Sequence, residues 1–211
     1  AAACARQKPG DAPHIILLPE RHFERDDFLA AVASAHKKHG FVSIVCGEGI
    51  TNPDGTPVSA STTTDNFKNV EFGAMGGTSA AMILHRIICD EFRWRGEFQV
   101  TESLQMCAAD RAVKLDVVEA FACGKEAVSL ATRGNGEVMV TIQRSSKAGQ
   151  PYKSTFGTIP LAEVAVHARP MPDQYIAPGG MDVTKAFLNY VRPLVGALPA
   201  YPGLSIKRAK V

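Results

Sequence analysis

The chain has 211 residues, 45% of them hydrophobic, enough for a sizeable core and too many for a disordered segment. Its 23 basic and 21 acidic side chains leave a formal charge of +2, so nucleic acid and anionic membrane surfaces are not indicated as partners. An anionic ligand must instead be held by local geometry. No apolar run approaches the ~20 residues needed to span a bilayer.

Cysteine usage narrows the class further. Cys4, Cys46, Cys89, Cys107 and Cys123 are odd in number and widely scattered, form no CxxC, and have no histidine at metal-ligand spacing. They read as reduced structural thiols of a cytoplasmic protein, with no metal site. The amino end, AAACARQKPGDAP, lacks the charged and apolar regions of a secretion signal. Residues 1–5 resemble the tail of a helix and no methionine initiates the chain, so the chain is expected to be a piece of something longer.

In chain order, residues 15–18 (IILL) lie between Pro13 and Pro19 and predict a short buried strand. From Asp26, the spacing of Phe28, Leu29, Val32, Ala33 and His36 predicts a helix, with Asp26 and Asp27 at its start and Gly40 as a left-handed stop. Residues 41–46 (FVSIVC) predict a second buried strand. Strand, helix and strand in this order make a βαβ unit, whose usual form is parallel. Ligands of open α/β sheets sit beyond the carboxyl ends of the strands, and both strands end in a carboxylate, Glu20 and Glu48. A charged strand end also serves solvation alone, and that reading stays open for both.

Residues 51–69 read as a turn-rich loop and 72–77 (FGAMGG) as a tight glycine turn, which lacks the GxxxxGK[ST] pattern of a P-loop. A helix over about 78–91 directs Ile83, Leu84, Ile87 and Ile88 inward. EFQVT at 97–101 predicts another short strand. A helix from Asp116 to about Ala131 is expected to bury Val117, Phe121, Gly124 and Val128, at steps of four, three and four, with Gly134 closing it. Residues 137–143 alternate as a strand with one wetter face. Beyond Gln150 follow a short extended piece, a short helix, and an amphipathic helix capped by Asp182, with Val183, Phe187, Tyr190, Val191 and Leu194 inside. The basic tail SIKRAKV reads as solvated.

Several stretches, APHIILLPERHF, SIVCGEGI, DNFKNVEFGAMGG and LDVVEAFACGKEAVSLATRG, followed by PYK…G…PLAEVA and FLNYVRPLVG, resemble in order and spacing the carboxyl-terminal half of 6-phosphofructokinases. The bacterial pyrophosphate-dependent branch is the most similar. The resemblance covers nearly the whole chain. It implies an α/β fold with a mainly parallel sheet flanked by helices, an α/β substrate-binding core over 12–145, and a carboxyl-terminal extension over 146–211.

The resemblance also implies an activity: phosphoryl transfer from pyrophosphate, or from ATP, to O1 of fructose 6-phosphate in glycolysis. Mg²⁺ would bridge the donor phosphates, held with the general base and the donor site by segments upstream of residue 1. No catalytic residue is therefore expected in residues 1–211, and the chain alone is expected to be inactive. A homo-oligomer is implied as well.

Residue by residue, the glutamate of the Pro-Glu corner, here Glu20, accepts hydrogen bonds from fructose hydroxyls, a positioning task suited to a carboxylate. The family's phosphate-clamping segment falls on Ser103, Gln105 and Met106, and methionine stands where an arginine is expected. A thioether cannot replace a bidentate cation. Other cations, Arg95, Arg111 or Lys153 beside Tyr152, could take the phosphate; the grip could be lost; or the loop could be registered differently. The competing function is a non-catalytic sugar-phosphate sensor or structural subunit.

Overall fold

A computed structural model describes residues 2–59, 64, 66, 78–101, 106–146, 150–165 and 169–199. The glycine turn at 72–77 and the basic tail lie outside the described residues. The chain opens with a 3-10 turn, Ala2–Ala5.

Strand β1, Ile15–Leu17, is buried along its length. It pairs in parallel with β2, Ile44–Cys46, in the register Ile15 to Ile44 and Leu17 to Cys46. Between them runs α1, Arg25–His39, which buries Phe28, Leu29 and Val32 and ends at Gly40. Gly40 has φ 80° and donates its N–H to the His36 carbonyl, the left-handed stop that its lack of a Cβ permits. Strand β2 differs from expectation: it is three residues long rather than six, Val45 is half-exposed, and Phe41 lies outside it on the surface. A parallel strand lasts only as long as its ladder partner, and β1 offers three residues.

Helix α2, Ala80–Phe92, is capped by Ser79, whose Oγ accepts the Met82 N–H at 3.1 Å. It places Leu84 in the core, with Ile83, Ile87 and Ile88 packed against it. The core gathers Ile15 and Leu17 of β1, Phe28, Leu29 and Val32 of α1, Ala80 and Leu84 of α2, and Phe23, Ile50 and Val58 from the loops.

Residues 93–101 form no regular element, so the EFQVT strand is not made. Phe98 and Val100 are exposed, and a cavity of about 900 Å³ separates this stretch from β2. Among the described residues no ladder stands beside it, and β-propensity alone does not hold a strand.

Helix α3, Lys114–Thr132, forms where the periodicity places it, but its apolar stripe is not covered. Val117 is 55%, Phe121 76% and Val128 65% exposed, and Gly124 is exposed too; the single buried residue of the helix is Glu119. Local pattern made the helix, and nothing among the described residues covers this stripe. The helix packs its other side on β3, Val138–Arg144, which pairs antiparallel with β4, Ser154–Pro160.

A single turn, α4, Leu161–Val164, leads to a 3-10 turn at Asp173–Tyr175 and to α5, Lys185–Val195. The cap of α5 is Thr184, whose Oγ1 accepts the Phe187 N–H, and not Asp182. Asp182 is taken by Arg6, whose Nη1 lies 2.9 Å from both carboxylate oxygens. Phe187, Val191 and Leu194 are half-buried, Val183 precedes the helix, and Tyr190 is exposed. The protein is α/β, with one small parallel and one antiparallel sheet among the described residues.

Candidate functional site

Glu20 leaves the carboxyl end of β1 through a turn closed by the Arg21 N–H on the Leu18 carbonyl, at 3.1 Å. Pro19 has no N–H to extend the ladder, so the chain turns there and carries the carboxylate off the sheet. Glu20 is half-buried, and its Oε1 accepts the backbone N–H of Met171 at 3.0 Å. Oε2 has no hydrogen-bond partner among the described residues. A carboxylate fixed through one oxygen can accept donors on the other.

The wall of this corner comes from the far end of the chain. Met181 accepts the Ile16 N–H at 2.9 Å, and Ile176 bridges Val183, so residues 176–183 form a narrow loop on the outer edge of β1. Arg21 spans the corner: Nη1 donates to the Glu20 carbonyl at 2.9 Å, and Nη2 meets Asp173 at 2.7 Å. Both partners of that ion pair are exposed, so it orients more than it stabilises. At Gly180, φ is +74° and a Cβ would stand 3.1 Å from Arg21 Cγ, so glycine is required there. Beside the corner opens a cavity of about 450 Å³ lined by Leu18, Arg21, His22, Ile176, Gly179 and Met181. His22 Nδ1 lies 3.1 Å from Thr51 Oγ1.

Glu48, at the equivalent tip of β2, is engaged differently. Its Oε2 accepts the Ala80 N–H at 2.9 Å, satisfying an orphan donor of the first turn of α2 and placing negative charge at the positive end of the helix dipole. That is the work of a helix cap.

Of the other residues singled out from the sequence, those that are described do not gather at Glu20. Ser103 and Gln105 lie outside the described residues. Met106 is 75% exposed. Arg111 pairs with its neighbour Asp110 at 3.2 Å on the surface. Arg95 lines the cavity between β2, α2 and residues 94–101.

Tyr152 and Lys153 lie just before β4, where the Tyr152 hydroxyl donates to Glu119 Oε1 at 2.9 Å. Burial and the Glu119 carboxylate both raise the Tyr152 pKa, so the phenol stays protonated and donating. Arg144 stands 5.1 Å from the ring centres of both Tyr152 and Tyr190 and donates to the Tyr190 carbonyl at 2.9 Å. This cluster of Glu119, Arg144, Tyr152 and Tyr190 was not anticipated. A charge inside an apolar helix face was its one local sign, and its partner lies 33 residues away.

Among the described residues no three His, Cys, Asp or Glu side chains converge as a cation site. None of the described helices is long and apolar enough to cross a membrane.

No protein-family model matches the chain. The pyrophosphate–fructose 6-phosphate 1-phosphotransferase of Halomonas elongata is 35% identical over 195 residues, 92% of this chain and 45% of that protein. The protein of the same name from Xanthomonas campestris pv. campestris is 35% identical over 196 residues, 92% of this chain and 45% of its own length. The crystal structure of pyrophosphate-dependent phosphofructokinase from Marinobacter aquaeolei superposes with a TM-score of 0.72 at 28% identity, over 95% of this chain and 45% of that one. The chain thus spans about half the length of the curated relatives it matches.

Proposed function

From the homology of this chain to the carboxyl-terminal half of the pyrophosphate-dependent phosphofructokinases, we propose that it supplies the sugar side of a phosphoryl transfer. The donor is pyrophosphate, or ATP in a less favoured variant, and the acceptor is O1 of fructose 6-phosphate. The observation that carries this reading is Glu20: a carboxylate at a strand tip, anchored on Oε1 by Met171 and open on Oε2 among the described residues. It accepts fructose hydroxyls and sets the angle of the sugar, which is most of what phosphoryl transfer asks of a protein.

The general base, the donor site and Mg²⁺ belong in this reading to the part of the phosphofructokinase fold that the chain does not match. Residues 1–211 alone therefore do not turn over. The core over 12–145 and the extension over 146–211 act together on the Glu20 corner, in a cytoplasmic, glycolytic homo-oligomer. Methionine at 106 leaves the 6-phosphate without its expected arginine, and Lys153, Arg111 and Arg95, the candidates to replace it, do not gather at Glu20 in this chain.

The second reading, a non-catalytic sugar-phosphate-binding or structural subunit, is favoured by one observation, the exposed Met106 thioether at the expected arginine position.

Calorimetric titration with fructose 6-phosphate tests the proposal. Saturable binding that Glu20→Ala weakens by about 1.5–3 kcal/mol, the range for hydrogen bonds to a charged group, is expected. A folded chain that binds no fructose 6-phosphate, or binds it equally well after the substitution, refutes the role of Glu20.

A further inference from the structure

We propose that the His14 ring is an acid-sensitive latch, closed while its Nδ1 is unprotonated, whose release loosens the 171–183 loop that orients Glu20. His14 acts through Arg6 and that loop, as a positioning residue. The effect on sugar rests on the proposed role of Glu20; the latch itself does not.

His14 stands just before β1 and holds Ser43, just before β2, in two directions. Its ring Nδ1 accepts the Ser43 N–H at 3.0 Å, and its own N–H donates to the Ser43 carbonyl at 2.8 Å. The Pro13–His14 peptide group is thereby gripped from both sides, because its carbonyl accepts Arg6 Nε at 2.7 Å. From there the path to Glu20 is short. Arg6 Nη1 holds both carboxylate oxygens of Asp182 at 2.9 Å, and the carbonyl of the preceding Met181 accepts the Ile16 N–H. The same segment begins at Met171, whose N–H donates to Glu20 Oε1.

A proton on Nδ1 turns an acceptor into a donor. Two donors then face each other 3.0 Å apart, and the ring must leave Ser43. The surroundings also oppose a charge on the ring, which stacks on His39 at 4.4 Å with Phe41 edge-on at 4.9 Å. Lys38 and His39 at the end of α1, and Arg6 from the amino-terminal segment, all act against it, while Phe41 and Ser43 on the approach to β2 do not titrate. The carboxylates of this end are engaged elsewhere: Asp11 accepts the Gln7 and Lys8 N–H groups at 2.9 Å, and Asp182 is held by Arg6. Burial first, and then these cations, keep the His14 pKa below 6.5 against the opposing effect of a bond to the Gly10 backbone. The latch is therefore closed above pH 6.5 and opens as pH falls through the lowered value.

NMR of the 211-residue chain tests this without sugar. Between about pH 8 and about pH 5, the amide signals of Met171 and Gly180 are expected to shift with the same midpoint as the His14 ring, below 6.5. In His14→Asn the side-chain Oδ1 replaces Nδ1 as an acceptor that does not titrate, and both amide signals stay in place over that range. In His39→Gln, loss of the stacked charge raises the His14 midpoint, and the Met171 transition rises with it. Calorimetric titration adds a second readout. Fructose 6-phosphate is expected to bind at least about threefold more weakly at about pH 5 than at about pH 7.5, measured relative to His14→Asn, which cancels the titration of the sugar phosphate itself.

A Met171 signal that ignores protonation of His14, or that moves equally in His14→Asn, overturns the proposal. So does a Met171 transition left in place while His39→Gln shifts the ring midpoint, a result that needs no folded His14 variant. If fructose 6-phosphate binds with the same pH dependence in both chains, Glu20 is not reoriented and the proposal fails. A coupled shift at Met171 in a chain that binds no fructose 6-phosphate leaves the latch intact and refutes the proposed function instead.

Discussion

Phe28→Ala and Phe121→Ala delete the same atoms from two helices whose periodicity predicts both side chains as core. In the folded chain they are at opposite extremes. Phe28 has no exposed surface, its ring centre lies 5.2 Å from that of Phe23 at a tilt of 58°, and it belongs to the cluster joining β1, α1 and α2. Truncating a buried phenylalanine costs about 3–5 kcal/mol, part of it from a cavity the surroundings cannot fill and part from the lost ring pair. Phe121 is 76% exposed, so its truncation stays within about 0.5 kcal/mol. In urea, with a slope of about 2–3 kcal/mol/M for a chain of this size, Phe28→Ala lowers the midpoint by roughly 1–2 M while Phe121→Ala leaves it within about 0.3 M. Equal midpoint losses in the two variants refute the assignment of Phe121 to the surface of this chain.

Two further outcomes follow from ionisation. The His14 ring has its pKa lowered from 6.5, first by burial and then by the stacked His39 ring at 4.4 Å, and its Nδ1 accepts the Ser43 N–H at 3.0 Å, which requires an unprotonated nitrogen. With the folded value below the unfolded one, its contribution is fully present above pH 6.5 and is lost as pH falls through the lowered value. An NMR titration of His14 with a midpoint at or above 6.5 rejects this. The Cys46 thiol is pushed up to about 11, by burial and then by the Glu48 carboxylate. At pH 8 only about 0.1% of it is thiolate, so iodoacetamide should modify exposed Cys107 and spare Cys46; prompt alkylation of Cys46, read by mass spectrometry of digested protein, contradicts it.

What the sequence made legible was set by neighbours a few residues away. The buried β1 run, the α1 face, the Gly40 stop and the inward side of α2 each depend on contacts within one turn or one strand, or on a core large enough to take any apolar face. The misread features depend on distant partners. EFQVT has strand composition but no ladder beside it among the described residues. Asp182 stands two residues before Thr184 and carries a good capping side chain, yet Arg6, 176 positions away, claims it and the hydroxyl of Thr184 caps instead. The α3 stripe has the right period, yet nothing among the described residues covers it. At the site, the position of Glu20 at a strand tip was readable; its bond to Met171, 151 positions on, was not.

Those long-range bonds give the carboxyl-proximal segment a definite part in the corner. Residues 171–183 touch β1 and its flanks at four points: Met171 on Glu20, Asp173 on Arg21, Met181 on Ile16, and Asp182 on Arg6. Arg6 also donates from Nε to the Pro13 carbonyl at 2.7 Å, just before β1. The Arg6–Asp182 pair is the more sheltered of the two ion pairs, at 21% and 38% side-chain exposure against 42% and 85% for Arg21–Asp173. Shielding from solvent weakens screening, so Arg6 anchors the loop while Arg21 adjusts its outer edge. Glu20 thus owes its direction to a segment more than 150 positions away. If Glu20 holds a sugar as proposed, substitutions at 171–183 change the affinity for fructose 6-phosphate by moving that one carboxylate.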